Sequence, residues 1–112
     1  MAMTVHNKYN VVHIKMIIGD VLAFNIRFDE DVTLTSAKFT CREGDSDDIV
    51  FQKTLNDGIT QVDTKQYHVE VASADTASES EGRYDYDLQI TVDGQRSTLM
   101  IGKLTLIQGV SR

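Results

Sequence analysis

The sequence predicts an all-β protein, an antiparallel β-sandwich of seven or eight strands. Three observations carry this. Apolar residues recur with period two in segment after segment, most cleanly where Tyr84, Tyr86, Leu88, Ile90 and Val92 alternate with Arg83, Asp85, Asp87, Gln89 and Thr91. Turn residues such as Asp93-Gly94 and Asn56-Asp57-Gly58 punctuate the chain between those segments. No amphipathic helical pattern occurs anywhere.

Each element follows in order. Residues 1–10 are mixed and polar and read as a flexible N-terminal lead-in; residues 11–112 form a single sandwich domain. Val12, Ile14 and Met16 alternate with His13 and Lys15 until Gly19-Asp20 breaks the strand. Leu22, Phe24, Ile26 and Phe28 form a second apolar face, ended by Asp29-Glu30-Asp31, which is poor β material. Ala37, Phe39 and Cys41 face inward on a third strand. The parity change between Leu34 and Ala37 predicts a bend near Thr35-Ser36. Glu43 to Asp48 is a loop, Ile49 to Lys53 a short strand, and Tyr67, Val69 and Val71 another. Ala72 to Ser80 is small and polar and reads as a crossing loop with one helical turn from Asp75 or Thr76. The strand from Gly82 to Val92 and a last one from Ser97 to Ile107 form a hairpin. Gly102 marks a bulge or a close backbone approach. The chain has no proline, so its edges need charge for protection; Arg27, Lys38, Arg42 and Lys53 are the expected guards.

Composition narrows the function. The net charge of −6 disfavours nucleic acid and anionic membranes as partners. The longest apolar run, Val21-Leu22-Ala23-Phe24, is far short of a membrane span, and no secretory leader pattern opens the chain, so synthesis and folding in the cytoplasm are expected. The single cysteine, Cys41, cannot form an internal disulfide. It reads as a buried small hydrophobe, with no histidine near it in sequence to serve as a base.

The motifs point to structure more than to chemistry. Ser80-x-Gly82-x-Tyr84 resembles the tyrosine corner of Greek-key sandwiches, with Tyr86 where antibody-type domains carry a cysteine. Tyr84, Tyr86, Gly82 and Gly102 are therefore structural. Asp85 and Asp87 share a wet strand face, where paired carboxylates usually stay solvated. Glu43, Asp45, Asp47 and Asp48 gather oxygens but miss the EF-hand glycine and terminal glutamate. His6, His13 and His68 lack ligand spacing. No catalytic set, cofactor site or metal site is expected.

Ile18-Gly19-Asp20, Ala74-Asp75-Thr76 and Gly82-Arg83-Tyr84-Asp85-Tyr86-Asp87-Leu88, leading to Gly102-Lys103-Leu104, resemble the N-terminal domain of the phage baseplate upper protein and small phage tail-associated proteins. The resemblance runs from about Val11 to Ile107. It implies an immunoglobulin-like sandwich and a non-enzymatic structural role in a phage or prophage tail or baseplate. Members of that family tether the host-recognition apparatus to the virion. The larger ones continue into a region that carries receptor-binding proteins. This sequence carries only the first domain's pattern, so an accessory or connector piece is expected. Its place would be the virion tail, its partners other tail or baseplate proteins or further copies of itself. Asp29, Glu30 and Asp31 with Glu43, Asp45, Asp47 and Asp48 would form the partner-facing rim. The alternative is a carbohydrate- or surface-ligand-binding sandwich using Asp85, Asp87 and the acidic loop, with calcium assistance.

Overall fold

A strand with one apolar face is stable only when paired and covered. In the computed structural model, which describes residues 2–3, 10–44 and 48–109, the predicted alternations pair into ten strands. They are β1 (Ala2–Met3), β2 (Asn10–Val11), β3 (Ile14–Ile17), β4 (Leu22–Phe28), β5 (Ser36–Glu43), β6 (Ile49–Leu55), β7 (Gly58–Asp63), β8 (Gln66–Val71), β9 (Gly82–Val92) and β10 (Gln95–Ile107), with one helical turn, α1 (Ser73–Thr76). The excess over seven or eight comes from the two-residue pairings of β1 and β2 and from β7. Only Ile59 of β7 is buried, so its sequence shows no alternation.

Hydrogen bonding runs β1-β4-β8-β7-β6-β5-β9-β10-β2, and β3 also joins β10. The β6–β7 link is narrow and parallel, with only Thr54↔Gly58 and Leu55↔Ile59 in register. The strands thus divide into two layers, β1-β4-β8-β7 and β6-β5-β9-β10 with β2 and β3 both on β10, folded face to face. The longer ladders are antiparallel, while β3 runs parallel to β10, from Leu104↔Ile14 to Ile107↔Ile17. This is an immunoglobulin-like β-sandwich. Ala2–Met3, at the start of the predicted lead-in, pair with Arg27–Phe28 of β4; residues 4–9, including His6, lie outside the described residues.

The core lies between the layers. Ile26, Phe39, Cys41, Ile59, Val69, Val71, Leu88 and Leu104 are fully buried. Each large apolar side chain there contributes about 1.5–3 kcal/mol. Phe39 of β5 is the hub, with edge-on contacts to Phe24 across the layers at 5.5 Å and to Tyr86 of β9 at 5.4 Å. The Asp93-Gly94 turn has φ of 50° and 79°, the doubly left-handed geometry of a two-residue hairpin, as the sequence predicts. The bulge in β10 falls between Thr98 and Met100, so that Leu99 and Met100 are both buried, whereas Gly102 marks a close approach.

Two of the expected edge guards are misplaced. Lys38 and Arg42 lie on β5, which pairs on both sides with β6 and β9, so they protect no edge. Arg27 sits beside β1. Lys53 lies on β6 and reaches Asp75 at 2.7 Å.

Candidate functional site

The segments that carry the resemblance meet in space. The Gly19 amide donates to Thr76 Oγ1 at 3.0 Å, and Ser73 Oγ donates to the Gly19 carbonyl at 2.6 Å. These residues are more than fifty positions apart in sequence. Asp75 accepts from the Ala72 amide at 2.7 Å as well as from Lys53, which fixes α1 against β6. Nearby, Tyr84 donates its hydroxyl to the Ser80 carbonyl at 2.7 Å, the predicted tyrosine corner. Tyr86 donates to the Val12 carbonyl at 2.5 Å. A Cβ on Gly102 would stand 2.1 Å from that same Val12 oxygen, so only glycine lets the chain between β2 and β3 lie against β10. A third buried tyrosine, Tyr67, accepts from the Leu34 amide and donates to the Val32 carbonyl, tying down the β4–β5 loop. Nothing in the sequence distinguished Tyr67 from an ordinary core residue.

Burial pushes the Tyr86 hydroxyl up to about 12. Cys41 is also pushed up to about 12, by burial first and then by Glu79 and Asp85. It is a protonated core residue, unsuited to nucleophilic chemistry.

The two acidic loops do not form one rim. Asp29, Glu30 and Asp31 follow β4, at the end where β5 begins; Glu43 and Asp48 lie where β5 ends. An eight-residue strand separates them, roughly 25 Å. Asp45 and Asp47 lie outside the described residues. The Asp29–Asp31 end also holds the 63–65 turn, through Phe28 N to Lys65 O at 2.7 Å and Val32 N to Thr64 O at 2.9 Å. The β9–β10 turn joins it through Thr35 N to Thr91 O at 2.9 Å. Asp63 and Asp93 therefore extend this acidic end, against the cations Arg27 and Lys65.

The chemistry of the outer face gathers on β5, β9 and β10. Register places Arg42, Asp85 and Lys103 in one cross-strand row, and Thr40, Asp87 and Ile101 in the next. Lys103 Nζ pairs with Asp85, and its amide donates to His13 Nδ1 at 3.2 Å. Partial burial raises the Asp87 carboxyl above its ordinary range, opposed by Arg42 and Arg96. A shallow groove of about 370 Å³ runs along this row, lined by Val11, His13, Asp85, Asp87, Ile101 and Lys103 among others. The two aspartates thus face cations. Among the described residues no three His, Cys, Asp or Glu side chains converge as a metal site would require, and no helix is long and apolar enough to cross a membrane.

No protein-family model matches the chain, and no curated protein matches it in sequence. Solved structures do match in shape. CopC from Methylosinus trichosporium OB3b superposes with a TM-score of 0.54 at 12% identity, over 88% of this chain and 87% of that one. The AA10 lytic polysaccharide monooxygenase from Streptomyces lividans gives 0.56 at 13% identity, over 84% of this chain and 59% of that one. A family 123 glycoside hydrolase from Clostridium perfringens gives 0.56 at 12%, over 92% of this chain but 24% of the enzyme. At these identities the likeness is one of fold.

Proposed function

We infer that this chain is a non-enzymatic structural protein of a phage or prophage tail or baseplate, working through protein–protein contacts. The observation that supports this reading best is the convergence of its motif residues. Gly19, Asp75, Thr76, Gly82, Tyr84 and Gly102 carry the resemblance to tail proteins. The hydrogen bonds and close contacts around Gly19, Thr76, Tyr84 and Gly102 form a frame at one end and one edge of the sandwich. The residues of the resemblance therefore hold the scaffold in shape and leave the outer sheet face and the loop ends for contact.

Negative-stain imaging of purified tails, labelled with an antibody against this protein, tests the reading. Label at a fixed position on the particle is the expected result. Particles that never carry label, from preparations in which the protein is made, contradict it.

A further inference from the structure

The charges of this molecule are sorted by surface. Lys15, Lys38, Arg42, Arg83, Arg96 and Lys103 are all exposed, and register places all six on the outward face of β3, β5, β9 and β10. The acids on that face are Asp85 and Asp87, both partly buried. Six cations against two carboxylates leave the face at +4. The whole chain is −6, so everything else carries −10. The exposed outward charges of the other layer are Arg27, Glu70 and, at its β4–β5 end, Asp63. Among the described residues, most of the excess negative charge therefore lies in the turns and loops that end the strands.

We propose that the basic face of β5, β9 and β10 receives the acidic β4–β5 end of a second copy of this chain. The proposal deepens the assembly reading above and rests on it for its biological setting only. Charge complementarity selects this occupant. Two basic faces would repel, so a two-fold contact through that face is disfavoured. A face-to-end contact brings Asp29, Glu30, Asp31, Asp63 and Asp93 against the six cations. Among the described residues Asp29, Glu30 and Asp31 are exposed and form no salt bridge. The opposite end is also acidic, through Asp20, Glu43, Asp48, Glu79 and Glu81, but Asp75 there is held by Lys53, and Glu43 and Glu81 line a hollow with Arg83 of the chain's own basic face. Such a contact is heterologous, and it generates a ring if the rotation closes and a filament if it does not. The molecule extends 42 × 27 × 20 Å, so its end offers roughly 500 Å², below the ~800 Å² per partner of a standard interface. A single contact is thus weak, and closure of a series strengthens it.

Sedimentation velocity over rising protein concentration tests this. The wild-type chain is expected to associate at low salt and to dissociate at about 1 M salt, where the Debye length falls to about 3 Å. Lys38→Glu with Arg83→Glu reverses the face; Asp29→Lys, Glu30→Lys and Asp31→Lys together reverse the end. Each set alone is expected to weaken association roughly tenfold or more, and mixing the two is expected to restore it. If the reversed face unfolds, Lys38→Gln with Arg83→Gln gives the same comparison at smaller amplitude. A wild-type chain that stays monomeric at low salt overturns the proposal. So do reversed variants that associate like wild type, a mixture that fails to recover, or a face that binds a labelled single-stranded oligonucleotide while the chain stays monomeric. The tail reading stands or falls separately, on the labelled particles.

Discussion

Tyr86 lies where antibody-type domains place the second cysteine of their inter-layer disulfide, two residues after the corner tyrosine. Here Phe24, Phe39 and Tyr86 make an aromatic run between the layers instead. Phe39→Ala removes its centre and is expected to cost about 3–5 kcal/mol, read by urea denaturation. Gly102→Ala drives a methyl group against the Val12 carbonyl; a loss of about 1–3 kcal/mol is expected, with faster amide exchange at Val12. Cys41 and Tyr86 set the alkaline limit. Both stay protonated in the fold up to about 12, against 9.0 and 10.0 in the open chain. Unfolding therefore releases protons above pH 9. Their contribution is complete below that pH and is lost as pH climbs from 9 towards 12. Denaturation midpoints at pH 7, 9 and 11 should fall only over the upper part of this range. Cys41→Ala, which removes one of the two groups, should make the fall shallower. An equally steep fall in that variant removes Cys41 from the explanation.

At the scale of elements, α1 acts as a clamp. Thr76 is fully buried, and its hydroxyl holds the Gly19 amide at the turn between β3 and β4. Thr76→Val keeps the volume and leaves that amide unpaired, a cost of about 1–2 kcal/mol with faster hydrogen exchange at Gly19. Unchanged exchange there means the clamp does not hold. The strands whose alternation is clean, β4, β5, β8 and β9, were legible in the sequence because one face of each is apolar. The tyrosine corner was legible because its spacing is local. β7 was not, since it buries only Ile59, and neither was the flanking of β5. Alternation tells which way a side chain points but not which strands are neighbours. Lys38 and Arg42 therefore read as edge guards when they belong to the centre of a sheet face.

At the scale of the whole molecule, the same blindness to neighbours hid the candidate site. Each cation of the outer face sits at an ordinary wet position of its own strand. Only the order β5-β9-β10, with β3 beyond, sums them into one basic surface on an acidic protein. The acidic loops were legible as loops, but their placement at opposite ends follows from the direction of β5. A disulfide-free sandwich with a sorted surface charge suits a part that is held among other parts. Quantitative mass spectrometry of purified tail particles measures this most directly, by counting this chain against the other tail proteins. The account predicts a fixed number of copies per particle, more than one, that survives purification. Recovery of the chain only in the soluble fraction, with none on the particle, contradicts it.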